Sequence, residues 1–129
     1  MFTEMKIPSS IAFLITGLSY GGAEKQVTDL AISHSQNGVQ VHVITLLRPK
    51  AHVDSLLANG VEVSHLSMRR GVPDVRAVFQ LIKKIKEIQP DIVHSHMVHA
   101  NLLARFSKAL SPSFPALICT AHDLSLIHI

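Results

Sequence analysis

Three short stretches hold residues whose types and spacing suit chemistry. The pair Gly21-Gly22 stands between an apolar run and a helical pattern. The first turn of a helix offers unpaired backbone N–H groups and a partial positive charge, so an anion is stabilised there. Glycine has no Cβ, can take positive φ, and lets a phosphate or sugar approach the backbone. The same pair also serves as nothing more than a tight strand-to-helix turn. The spacing Gly17-x-x-x-Gly21-Gly22 is not the dinucleotide fingerprint, and no Gly-Lys-Ser/Thr follows to make a P-loop. The second stretch is His94-Ser95-His96 with His99, an H-x-H-x-x-H set. Imidazole pairs of this kind can seat a divalent metal, which keeps a metal-dependent hydrolase using His94 and His96 as a competitor, although no fourth ligand is identifiable. A strand-end histidine satisfied by an ordinary hydrogen bond is the other reading of His94. The third stretch is His122-Asp123, where a carboxylate next to an imidazole can fix its tautomer or raise its basicity.

The elements that must position these groups follow from hydrophobic periodicity. Ile11 to Ile15 is an unbroken apolar run and predicts a strand buried on both faces. Ala23, Val27, Leu30, Ala31 and His34 have helical spacing, and Gln36-Asn37-Gly38 supplies a helix stop. Val39 to Leu47 predicts a second strand ended by Arg48-Pro49. A helical segment around His52 to Ala58 closes on Asn59-Gly60, and Val61 to Leu66 predicts a third strand. Pro73 is placed to open a helix in which Val75, Val78, Ile82, Ile85 and Ile88 recur, widened by Phe79 and Leu81. Its Arg76, Lys83, Lys84, Lys86 and Glu87 read as a solvated face. Asp91 to His94 predicts a short fourth strand, followed by a helix carrying Leu103, Phe106 and Leu110, then a fifth strand from Ala116 to Ala121. Strands separated by helical segments imply an α/β doubly wound parallel sheet, with ligands gathering beyond the carboxyl ends of the strands. That arrangement brings all three stretches to one sheet edge. His34, His42, His52 and His65 fall on element bodies and read as packing or solvated residues.

With 129 residues and 47% hydrophobic content, the chain has the size and core of one domain. A net charge of +3 suits anionic substrates or an anionic membrane surface but does not argue for nucleic acid. The single cysteine, Cys119, excludes an internal disulfide framework, fits a reducing compartment and reads as a buried structural thiol. No apolar stretch approaches the roughly 18 residues that span a bilayer. The N-terminus lacks a secretory pattern, so the expected location is cytoplasmic or peripheral on the cytosolic membrane face. Residues 1–9 read as a tail, 10–123 as the domain, and 124–129 as a doubtful tail. The expectation is a truncated frame, because Leu124 to Ile129 follows the fifth strand without a cap or closing helix.

Gly21-Gly22-Ala23-Glu24-Lys25-Gln26-Val27, Pro90-Asp91-Ile92-Val93-His94-Ser95-His96, Ala100-Asn101 and Thr120-Ala121-His122 together resemble the N-terminal half of the GT-B glycosyltransferases, specifically glycosyltransferase family 4. The likeness runs over about residues 10–123. It implies a Rossmann-like, acceptor-side domain, with the nucleotide-sugar donor held mainly by a C-terminal domain absent from this chain. It further implies transfer of a sugar to a glycan or lipid-linked acceptor without a cofactor or metal, and a fragment inactive by itself. Carried onto this sequence, the resemblance puts Gly21 and Gly22 near the donor diphosphate and His122 near the reaction centre, with His94, His96 and Asn101 on the acceptor side. Asp123 departs from the asparagine frequent in similar members. The alternative in another class is a stand-alone α/β module that binds a phosphorylated ligand.

Overall fold

A computed structural model of the chain describes residues 9–18, 21–66, 68 and 75–120. Among the described residues five strands and four helices alternate: β1 (Ser10–Ile15), α1 (Gly22–Gln36), β2 (Gln40–Thr45), α2 (Val53–Ala58), β3 (Glu62–His65), α3 (Val75–Ile88), β4 (Ile92–His96), α4 (Val98–Leu110) and β5 (Ala116–Thr120). All strand pairings are parallel, in the order β3-β2-β1-β4-β5. This is the doubly wound α/β sheet expected from the sequence, and the strand order reverses between β1 and β4.

Each face of the sheet has its own core. Ile11, Phe13, Ile15, Val41 and Val43 project to one side and pack under Val27 and Ala31 of α1 and Leu56 of α2. Ala12, Leu14, Ile44 and Val93 project to the other and pack under Ala77, Leu81 and Ile85 of α3 and Leu103 and Ala104 of α4. β1 is buried on both faces, which explains its uninterrupted apolar run. At the opposite end of the strands, the Asp91 carboxylate accepts from the backbone N–H and Oγ of Ser9 at 2.9 and 2.8 Å, pinning the β1–β4 register.

Two glycines do close helices through positive φ. Gly38 (φ 88°) and Gly60 (φ 80°) follow the C-caps of α1 and α2. In each case the next residue reaches back across the turn, Val39 N–H to His34 O and Val61 N–H to Leu56 O, both about one residue beyond the last helical turn. Both α1 and α2 therefore end where the Asn-Gly pairs predict.

The outer helices depart from expectation. In α3 the buried line is Ala77, Leu81 and Ile85, while Val75 and Phe79 lie exposed. In α4 only Leu103 of the three expected apolar residues is buried; Phe106 and Leu110 are each 62% exposed. Ala77, Ala100 and Ala104 share the face against the sheet with Leu81, Ile85 and Leu103. Cys119 is partly buried rather than enclosed. Pro73, Arg69, Arg70, His122 and Asp123 lie outside the described residues.

Candidate functional site

The sheet reverses its winding between β1 and β4, and the crevice beyond their carboxyl ends is where open α/β sheets take ligands. Ile15 and His96 are register partners at that point, and Thr120 stands beside His96 on β5. α1 starts at the same edge, with Gly21 as its N-cap.

Neither glycine is there for positive φ. Gly21 is extended (φ −73°, ψ 166°) and Gly22 is the first helical residue, so the expected left-handed turn is absent. A Cβ on Gly21 would come within 2.6 Å of Oε1 at the flexible end of the Glu24 side chain, which would have to swing aside, whereas a Cβ on Gly22 would meet nothing within 4 Å. No side chain caps the helix by hydrogen bonding from Gly21. The helix start is thus open on the Gly22 side and approached on the Gly21 side by the Glu24 carboxylate, a negative charge that the helix dipole favours. Lys25 N–H donates to Gly21 O at 3.1 Å, which sets the first turn.

The histidines of β4 sit differently from the sequence expectation. The strand runs on to His96, so His94 is a mid-strand residue and His96 is the strand end. Alternation puts both imidazoles on the α1 side, where their ring centroids are 4.1 Å apart and each lies within 6 Å of the Phe13 ring, at 5.6 and 5.9 Å. Phe13 in turn stacks on His34 of α1 at 5.9 Å, so a ring cluster connects α1 with β4. His94 Nε2 shares a 2.8 Å hydrogen bond with Thr120 Oγ1, and His96 is 4% exposed. Among the described residues no group of three or more His, Cys, Asp or Glu side chains is disposed to hold a metal ion. His99 is on α4 and exposed.

Asn101 is separated from the histidines by the sheet itself. Its Oδ1 accepts from Ser95 Oγ at 2.5 Å and its Nδ2 donates to Thr120 O at 3.1 Å, both holding α4 against β4 and β5. The clamp surrounds Met97, a non-glycine residue at φ 79°, ψ 154°, a region that costs on the order of 1–3 kcal/mol. Met97 N–H donates to Thr120 O at 3.2 Å and Asn101 N–H to Met97 O at 2.9 Å. Asn101 is therefore a positioning residue for the turn that follows His96.

Sequence reasoning passed over Glu24, Ser95, Met97 and Thr120 as contributors. Glu24 at the third helical position is a recognisable start signal, but Gly21 lacks the hydroxyl that would have completed the usual box. Met97 gives no signal at all, since nothing in a methionine announces positive φ. Thr16, just past the end of β1, has a buried hydroxyl with no hydrogen-bond partner among the described residues. Among those residues, too, no helix is long and apolar enough to cross a membrane.

Comparison with known proteins bears on the family and the fold. The family model of Glycosyltransferase Family 4 matches residues 20–128. Among solved structures, a glycosyltransferase from Rickettsia africae ESF-5 is similar in fold, with a TM-score of 0.63 and 13% sequence identity. The match covers 86% of this chain and 29% of that one, so this chain spans under a third of its neighbour's length. No curated protein matches the chain.

Proposed function

The chain belongs to glycosyltransferase family 4, and from that premise we propose that the β1–β4 edge is the acceptor-side wall of a sugar-transfer cleft. The donor is a nucleotide-sugar. During transfer its anomeric carbon exchanges a diphosphate oxygen for an acceptor oxygen, and negative charge grows on the departing nucleoside diphosphate. Backbone N–H groups at the start of α1 are suited to stabilise that charge, because they are fixed before reaction and need no reorganisation. His122 is assigned near the reacting centre on the family resemblance. His94 and His96 belong to the acceptor side, with Asn101 holding the turn beside them. A glycan or lipid-linked acceptor, and a second α/β domain supplying most donor contacts, complete the proposal; no cofactor or resident metal is invoked. By itself the chain lacks turnover.

The observation that carries this reading is the open helix start at Gly22, at the point of the sheet where ligands gather. Calorimetric titration of the chain with UDP, a UDP-sugar and NAD tests it. Binding of UDP and its sugar in preference to NAD is expected. Binding of NAD in preference, or of neither diphosphate, would refute it.

A further inference from the structure

The charges of the connecting segments are divided between the two edges of the sheet. The connections that leave the carboxyl ends of the strands, residues 16–21, 46–52, 66–74 and 97, carry four cations, Arg48, Lys50, Arg69 and Arg70, against the single acid Asp74. Those that return at the amino ends, residues 37–39, 59–61, 89–91 and 111–115, carry no cation and the one acid Asp91. Within the carboxyl edge the division continues. All four cations belong to the connections after β2 and β3, and none to those after β1 and β4, which adjoin the start of α1 and His96. Solvation alone asks for charge at both edges, whereas one sign gathered at one end of the ligand edge attracts anions to it.

The connection after β2 is built onto the one after β1. Leu46 N–H donates to Ile15 O at 3.1 Å, Leu47 N–H to Thr16 O at 2.9 Å, and the N–H groups of Lys50 and Ala51 to Leu18 O at 2.8 and 3.2 Å. Thr45 Oγ1 donates to Leu47 O at 2.6 Å, and Pro49 fixes φ between the two cations. The backbone that carries Arg48 and Lys50 is therefore tied to the segment leading to the open start of α1. Both side chains are exposed, and neither enters an ion pair among the described residues. Asp54, in the first turn of α2, is the nearest acid in sequence and leaves the segment net positive.

We propose that Arg48 and Lys50 form a second anion site, separate from the start of α1, that binds an acidic substituent of the sugar acceptor, a phosphate or a carboxylate. The proposal rests on the transferase reading and adds to it the chemical class of the acceptor. Arginine presents a planar fork that matches either anion, and lysine adds a point charge. β2 and β4 flank β1, so the site stands two strand spacings, about 10 Å, from the strand end at His96. The accepting hydroxyl and the acidic group thus belong to different parts of one molecule.

Amide NMR of the labelled full chain, saturated with UDP and then titrated with glucose 6-phosphate, glucuronate or glucose, tests the proposal. One or both of the acids should move the signals of Leu47, Arg48, Lys50 and Ala51 with UDP still bound, less so as salt is added, and glucose should not. The preferred acid tells phosphate from carboxylate. Arg48→Gln and Lys50→Gln together should weaken binding about tenfold, as two exposed ionic contacts account for that factor. Lys86→Gln, which removes a cation from the last turn of α3 at the opposite edge, should leave it unchanged. UDP itself reads out at Gly22 to Glu24, so failure of the donor site is seen apart from failure of this one. Equal shifts with glucose, no shift at residues 47–51 with either acid, loss of those shifts once UDP is bound, or an equal effect of Lys86→Gln would overturn the proposal.

Discussion

Gly22→Ala separates the two purposes a glycine at a helix start can serve. A methyl group there meets no atom within 4 Å, so the fold accepts it without strain. Alanine is favoured over glycine by about 0.8–1.0 kcal/mol inside a helix, and roughly half of that is expected at the first helical residue. For a domain of this size the gain corresponds to a melting temperature about 2 °C higher. The same methyl stands in the open approach to the first-turn N–H groups and holds a phosphate oxygen away from them. Loss of one hydrogen bond to a charged group is worth about 1.5–3 kcal/mol, hence at least about tenfold in the UDP dissociation constant. Thermal melts and a UDP titration on the same preparation give both numbers. Opposite signs, greater stability and weaker binding, are expected. A variant that is stabilised yet binds UDP as well as the parent would refute the idea that the ligand enters beside Gly22.

Three further outcomes follow from the geometry. Glu24→Gln removes the carboxylate that approaches the helix start, so UDP should bind more tightly while the helix loses about 0.3–1 kcal/mol of dipole stabilisation, read by titration and by urea melt. Asn101→Ala breaks the bonds to Ser95 Oγ and Thr120 O and should lower stability by about 1–3 kcal/mol in urea unfolding. His42, joined to Ser64 Oγ at 2.7 Å and 3.3 Å from Glu62 Oε2, is held below its ordinary pKa of 6.5 chiefly by burial, with Lys84 adding to the shift and Glu62 opposing it. The unfolded chain therefore takes up its proton first. His42 contributes stability that is present above pH 6.5 and is lost as pH falls through the lower folded value, and His42→Gln should flatten that part of the profile measured by urea melts.

The sheet and its order of elements were legible because each strand carries its signal locally: an unbroken run where both faces are buried, as at Ile11 to Ile15, and Asn-Gly pairs where helices close. The extent of β4 was not, since Ser95 and His96 are polar residues with poor strand propensity that tertiary packing holds in the sheet. The inward face of α3 was largely legible, with Leu81 and Ile85 buried and Val78 and Ile88 packed beside them, but that of α4 was not: Ala100 and Ala104 are buried with Leu103, while Phe106 and Leu110 are exposed. Of the candidate site, the glycine pair and the β4 histidines were picked out by type and spacing; in the structure His96 ends β4 at the edge where α1 starts, while His94 lies inside the strand. The Asn101 clamp needed the strained Met97 backbone, which sequence does not display.

The account stands on backbone amides at the start of α1 meeting a diphosphate. Two-dimensional amide NMR of the labelled chain titrated with UDP observes them directly. The amide signals of Gly22, Ala23 and Glu24 should move first and furthest, saturating together. Shifts confined to other elements, with those three unmoved at saturation, would contradict it.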